Sequence, residues 1–256
     1  MFRLVFSIIA HFFTGLRLSF LLKKTLKNST DTRMRYETVR HTTIKLIEKL
    51  RVNVKVSGLE NLPGEGGYFL MPNHQGRFDG LPVVQTHEEP MTFIVDKNRS
   101  DISYESIYMD LIDALRIDRT NPRHAMEVFR NAAERVKEGQ HICVFPEGGH
   151  MGNRNSLQEF RTGAFHFVKR QGLTIVPVVL FDSWKVFNYE SIRDALKRVT
   201  CQIHYLKPIK AEEYSNLSKK EIAGLLKSRI REKIEELEKE LSLSDTGRKD
   251  PALNLS

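Results

Sequence analysis

Tyr68-Phe69-Leu70-Met71-Pro72-Asn73-His74-Gln75-Gly76-Arg77-Phe78-Asp79-Gly80 decides how this chain reads. Five residues without a charge make an apolar strand. A turn holding Gly76 follows, and Gly80 to His87 has the pattern of a short helix. The same alternation recurs outward in both directions. Candidate strands lie at Val52–Ser57, Met91–Asp96, Leu115–Asp118, Ile142–Phe145, Thr174–Leu180 and Thr200–Leu206. Helical patterns fall between them at Tyr104–Ala114, Arg123–Lys137 and Glu159–Arg170. Strands separated by helices of this length predict an α/β fold, with a mixed or mostly parallel sheet flanked by helices. Before the first strand a helix is expected over Thr32–Leu50. After the last strand another runs from Lys219 to Leu241, with Ile222, Leu226, Ile230, Ile234, Leu237 and Leu241 on one stripe. Residues 242–256 are polar and read as a disordered tail. Gly64, Gly66 and Gly67 lack the GxGxxG spacing and mark a turn between the first two strands.

Charge is unevenly placed. The chain of 256 residues carries +8, and residues 1–50 hold ten Lys or Arg against three acids, so +7 resides there and the remainder is nearly neutral. A basic end on a neutral body implies an anionic partner for that end. The basic residues sit among bulky aliphatics and no aromatic–basic strand motif is present, which argues against nucleic acid. Leu4 to Leu16 is the longest N-terminal stretch between charges. It is too short for a span of ~20 residues, and no small-residue cleavage site follows. On a helix, Arg3, Ser7, His11, Thr14 and Arg17 form one stripe while Phe2, Val5, Phe6, Ile9, Phe12, Phe13, Leu16 and Phe20 cover the rest. With Lys23, Lys24 and Lys27 alongside, Met1 to Leu26 reads as a helix lying in the membrane interface. The other reading is an amphipathic helix packed on the protein's own core. Residues 1–50 are thus expected to form a two-helix membrane-docking motif. Cys143 and Cys201, both in apolar runs, read as buried thiols without a disulfide; no CxxC or zinc spacing occurs, and no metal is expected.

The chemistry-bearing candidates are few. There is no P-loop, GxSxG elbow or HExxH. His74 and Asp79, five apart, cannot meet on one helix, but they can across a glycine-containing turn. Asp79 would then hold one imidazole nitrogen and leave the other as a base, the His–Asp half of a triad whose nucleophile is a substrate hydroxyl. The competing reading makes Asp79 the N-cap of the next helix and His74 a turn residue. Phe145-Pro146-Glu147-Gly148-Gly149-His150 ends another apolar strand, where α/β sheets bind ligands. Arg116-Ile117-Asp118-Arg119 ends a third, and Arg119 is suited either to a phosphate or to a surface ion pair. Phe160-Arg161-Thr162-Gly163-Ala164 precedes the Pro177-bearing strand Ile175–Val179.

In this order, NHxxxxD, IDR, FPEG, F-R-x-G-A and a VPV strand resemble the lysophosphatidic acid acyltransferase family, within the glycerophospholipid acyltransferases. The match covers roughly Val52 to Leu206, and the two N-terminal helices resemble the membrane-docking pair of bacterial members. The resemblance implies an acyltransferase α/β domain over residues 51–241. It implies His74 as general base and Asp79 as its orienting partner. It also implies that Lys97, Arg119, Glu147, Gly148 and His150 bind the acceptor. The donor would be acyl-CoA or acyl-carrier protein, with no cofactor, and the enzyme would be monotopic on the cytoplasmic face of a membrane, acting on lysophosphatidic acid. Acylation of glycerol 3-phosphate or another lysophospholipid, or non-catalytic lipid binding, are the alternative functions. Two positions depart from the family pattern. His150 stands where an arginine is usual, with Arg154 or Arg116 as replacement charges, and Ala114 stands where a glycine is usual.

Overall fold

A computed structural model describes residues 12–99, 103–187 and 197–246. Helices α1 (Phe12–Asn28) and α2 (Thr32–Lys49) come first, followed by strands β1 (Val52–Ser57) and β2 (Tyr68–Pro72). Then come α3 (Gly80–Thr86), β3 (Met91–Asp96), α4 (Ser103–Leu111), β4 (Leu115–Ile117), α5 (Pro122–Lys137) and β5 (His141–Cys143). The chain closes through α6 (Gly163–Gln171), β6 (Thr174–Phe181), β7 (Val199–Tyr205), a single turn α7 (Ala211–Tyr214) and α8 (Lys219–Thr246).

The strands form one seven-stranded sheet in the order β1-β7-β6-β2-β5-β3-β4. Every neighbouring pair is parallel except β6 with β7. That one antiparallel seam makes the sheet mixed. It also sorts the strand ends: β6, β2, β5, β3 and β4 all finish at the same edge, while β7 and β1 finish at the other.

Successive side chains of the central strands point to opposite faces, and both faces are covered. Phe69, Met71, Ile142, Ile175, Val179 and Phe181 meet α5, α6 and α8, through residues such as Ala132, Phe165, Val168, Leu226 and Ile230. Tyr68, Leu70, Cys143, Val176, Val178 and Leu180 meet the other layer, through Leu22 of α1, Tyr36 and Val39 of α2, Val83 of α3 and Leu111 of α4. This double burial explains why β2 and β6 are apolar along their whole length rather than alternating. Local signals fix the helix starts. Asp31 accepts from the Met34 N–H at 2.6 Å ahead of α2, and Asn121 with Pro122 opens α5. Gly67 lies where the β1–β2 turn crosses the end of α5; a Cβ there would fall 2.1 Å from Val136 O.

The structure departs from the sequence reading most clearly at three places. α6 begins at Gly163 rather than Glu159, because the backbone before it is bonded elsewhere: Arg161 N–H donates to Pro146 O at 2.8 Å and Gln158 N–H to Glu147 Oε2 at 3.2 Å. The strand expected over Ile142–Phe145 starts at His141 and stops at Cys143, which releases Phe145 into the loop that follows. α8 continues past Leu241 to Thr246, and residues 247–256 of the expected tail lie outside the described residues. At the N-terminus, residues 1–11, which include Arg3, Ser7 and His11, also lie outside them. The described part of α1 divides its surface: Leu22 is buried against the body, while Leu16 and Phe20 are 51% and 70% exposed. Both cysteines are free and buried.

Candidate active site

Where β2 ends, Asn73 takes the place of a further ladder residue. Its amide donates to Leu180 O (2.9 Å) and accepts from Leu180 N–H (2.7 Å), tying the turn to β6. The chain then folds back on itself. His74 Nδ1 lies 2.7 Å from Asp79 Oδ2, and the same oxygen accepts the N–H groups of Gln75 (2.5 Å) and Gly76 (2.9 Å). Asp79 is at the N-cap position of α3, yet its side chain caps no helix N–H. The carboxylate points backward to the imidazole, so of the two readings open in sequence the structure shows the His–Asp contact. Asp79 is fully buried, and four donors converge on its two oxygens, the fourth being Ser183 O–H on Oδ1 at 2.6 Å. Such donors are what a buried carboxylate needs.

The imidazole is held flat. It stacks on Phe145 (ring centroids 4.3 Å apart, planes at 29°) and meets the edge of His150 at 5.0 Å. With Nδ1 facing Asp79 and 16% of the side-chain surface open, Nε2 is the nitrogen left for chemistry.

The other expected residues gather at the same edge, because β3, β4 and β5 end there. Glu147 is buried, and both of its oxygens are engaged by backbone: Oε1 by His74 N–H at 2.8 Å, Oε2 by Gln158 N–H. Burial raises its pKa, and these N–H groups oppose the rise. This placement makes Glu147 a strap between the His74 loop and the segment before α6. Arg119 reaches across from the end of β4, pairing through Nε with Asp96 Oδ2 at 3.1 Å and donating through Nη1 to Gly148 O. Lys97 follows Asp96 at the end of β3, close enough to help lower the pKa of Asp118, which the hydroxyl and N–H of Thr120 lower most. Of the two replacement charges for the absent arginine, Arg116 pairs with Asp110 at 2.5 Å, and the Arg154 guanidinium covers the Trp184 ring at 5.0 Å. A third arginine takes the place by the glycines. Arg161 lies across Gly148 so closely that a Cβ there would come within 2.6 Å of its Nε. Gly148, at φ +72°, thus makes room for a guanidinium that Arg119 joins from the opposite loop.

Neither cysteine suits covalent chemistry. Burial pushes the Cys201 thiol up to about 12 and raises Cys143 well above its usual value, so thiolate is scarce at both.

Ser183, Asn155 and Arg161 were not singled out as site residues by sequence reasoning. Ser183 lies 104 residues from Asp79 and Asn155 lies 80 from Gln75, whose side-chain N–H it accepts at 2.8 Å. No local pattern announces contacts of that range. For Arg161 a signal existed: a basic residue three positions before the apolar face of α6, in a block already noted for its order in the chain.

The Acyltransferase family model matches residues 53–181. The 1-acyl-sn-glycerol-3-phosphate acyltransferase of Borreliella burgdorferi is 24% identical over 185 residues, covering 72% of this chain and 72% of that protein. That of Escherichia coli K12 is 28% identical over 178 residues, covering 69% and 71%. Among solved structures, the 1-acyl-sn-glycerophosphate (LPA) acyltransferase PlsC from Thermotoga maritima superposes with a TM-score of 0.73 at 17% identity, over 92% of this chain and 96% of that one. This likeness extends the shared fold beyond the family match, to most of the chain.

Proposed function

This chain belongs to the Acyltransferase family, and we propose that it moves a fatty acyl group from acyl-CoA or acyl-carrier protein to the free hydroxyl of lysophosphatidic acid, giving phosphatidic acid. The observation that carries the reading is the 2.7 Å contact between His74 and a fully buried Asp79 at the carboxyl edge of five parallel strands. The 1-acyl-sn-glycerol-3-phosphate acyltransferases among its relatives suggest the substrate class.

In this mechanism His74 Nε2 takes the proton of the acceptor hydroxyl as its oxygen attacks the thioester carbonyl. Asp79 fixes the tautomer and stabilises the imidazolium. The thiolate of the donor leaves and recovers the proton from His74. A positioned base contributes about 10²–10⁴ in rate; alignment of two bound substrates supplies much of the rest. Arg119 and Arg161, flanking Gly148, hold the acceptor phosphate, with Lys97 and His150 beside them. The thioester is already activated, and no cofactor enters the proposal.

The acceptor resides in a bilayer, and α1 is the element that brings the enzyme there. Its outward surface carries Leu16, Phe20 and Leu21 among exposed Arg17, Lys23, Lys24 and Lys27, while Leu22 anchors it to the body. No described helix is long and apolar enough to cross a membrane. We place the enzyme as monotopic on the cytoplasmic leaflet, held by buried side chains and by about 1 kcal/mol per basic residue near anionic lipid. Phe20→Ser with Leu16→Ser is expected to reduce co-sedimentation with anionic vesicles at least tenfold while leaving turnover of a dispersed short-chain acceptor within twofold. Equal vesicle binding by the variant would remove α1 from the docking surface.

The deciding experiment offers the purified full chain, in detergent, labelled acyl-CoA or acyl-carrier protein and a panel of acceptors. Lysophosphatidic acid is expected to be preferred. Arg119→Ala is expected to raise the acceptor KM about tenfold or more and to leave the donor KM near wild type, the effect of losing one charge-assisted contact. Preference for glycerol 3-phosphate or for a lysophospholipid with a larger head group would move the activity to that acceptor. Absence of transfer to every acceptor would favour lipid binding alone.

A further inference from the structure

We propose that Ser183 is a positioning residue of the reaction, acting on His74 through Asp79 and held for that task by Gln75 and by a left-handed turn at Asp182. The proposal rests on His74 and Asp79 being the catalytic pair.

The argument begins at the end of β6. Asp182 has φ +63°, a left-handed conformation uncommon for a residue with a side chain and met most readily by Asp and Asn. Its own contacts hold it there. Its N–H donates to Asn155 Oδ1 at 3.0 Å, one carboxylate oxygen accepts from Asn155 Nδ2 at 3.1 Å, and the other pairs with Lys185 Nζ at 2.6 Å. The left-handed residue reverses the chain, and the next side chain turns back beneath the His74 loop. Ser183 is 1% exposed there. Its N–H donates to Gln75 Oε1 at 2.9 Å, and its Oγ lies 2.6 Å from Asp79 Oδ1 and 2.8 Å from Gln75 Oε1. The hydroxyl has one proton, and the charged acceptor is the stronger claimant.

Asp79 therefore has one oxygen for the histidine loop and one for Ser183. Oδ2 receives His74, Gln75 and Gly76, all within five residues of it; Oδ1 receives Ser183 from across the sheet. The three donors on Oδ2 all come from the loop that carries the histidine, so on their own they tie the carboxylate only to that loop. The fourth, on Oδ1, anchors the second oxygen to the segment after β6, and with both oxygens held the plane of the carboxylate sets the direction of the 2.7 Å bond to His74. Ser183 touches no substrate in this arrangement, so its effect belongs in turnover rather than in binding.

The test is Ser183→Ala and Ser183→Cys in the full chain, with His74→Ala run alongside and folding checked by circular dichroism and thermal melting. Ser183→Ala is expected to lower kcat about tenfold while both substrate KM values stay within twofold. Ser183→Cys keeps the volume with a weaker donor and is expected to fall between Ala and Ser. Combining Ser183→Ala with Asp79→Asn is expected to cost little beyond Asp79→Asn alone, because groups acting as a unit are not additive. A kcat within twofold of wild type for Ser183→Ala overturns the proposal. So does an equal loss for Ala and Cys, a loss expressed in KM, or the same factor lost in both backgrounds. An active His74→Ala would instead overturn the catalytic pair itself, and the inference with it; an inactive one beside an active Ser183→Ala leaves the pair standing and removes only Ser183.

Discussion

Strand β2 has a histidine constellation at each end, and the two do opposite things. At its amino end Tyr68 stacks on His141, with ring centroids 4.2 Å apart, and its hydroxyl lies 2.8 Å from His87 Nε2. His87 Nδ1 faces Glu89 O at 2.8 Å, so a neutral ring donating from Nδ1 and accepting at Nε2 satisfies both contacts. No carboxylate bonds this ring, and burial lowers the His87 pKa to about 4. At the carboxyl end His74 faces a carboxylate and keeps part of its surface open. Both rings pack against aromatic neighbours, His74 stacked on Phe145 and His87 edge-on to Tyr68 and His141, and both are hydrogen-bonded. An acidic partner and access to solvent separate the proposed base from a core residue, and His74 finds both at the edge where the parallel strands end.

The sharpest break would come from exchanging their roles. His74→Ala is expected to abolish acyl transfer, by at least 10³ in kcat, with a melting temperature near wild type. Asp79→Asn is expected to lose on the order of 10³–10⁴, because an amide accommodates the wrong tautomer. His87→Ala is expected to do the reverse, keeping kcat within a few-fold and losing about 2–4 kcal/mol of stability from a buried, hydrogen-bonded ring. Chemical denaturation and steady-state rates on the three variants decide it; a His87→Ala protein that is stable but inactive would erase the distinction.

The next effect is on pH. The folded protein holds His87 near 4 against an ordinary 6.5, so in that window the unfolded chain binds the extra proton. Stability is then complete above about pH 6.5 and falls as pH drops toward 4, by about 3 kcal/mol from this group. His141 and His204, lowered mainly by burial, add in the same direction, with Glu89 opposing at His87 and His141 and Arg40 reinforcing at His87. Unfolding free energies at pH 7 and pH 4.5 are expected to converge in His87→Gln relative to wild type; an unchanged slope would assign the acid sensitivity elsewhere. The smallest effect is expected from Phe145→Leu, which keeps the apolar wall and removes the stacked ring. A few-fold loss in kcat with unchanged KM is its signature, in line with about 0.5–1.5 kcal/mol for an aromatic pair.

What was legible in the sequence follows the range of the contacts. β1, β2 and β3 begin and end where their strand patterns do. The His74–Asp79 pair was legible because only four residues, one of them a glycine, separate its members. The segment before α6 misled, since Glu159 to Thr162 has a helical pattern that the bonds to Pro146 and Glu147 override. The antiparallel seam between β6 and β7 left no mark, because nothing in an apolar strand records its neighbour's direction. The resemblance implies Glu147 as a contact for the acceptor, while its two backbone partners, 73 and 11 residues away, are visible only in the fold. Ser183 was silent for the same reason.

The two margins of the sheet matter for crowding. An unpaired strand is a template for another chain, and an enzyme gathered on a surface meets its own copies far more often than one in solution. Here one margin, β4, is three residues long and its middle residue is Arg116, while the other, β1, carries Lys55 at its exposed centre. A short strand and a charged one are both poor templates. On the bilayer docking proposed above, crowded copies would have little tendency to join sheet edge to sheet edge.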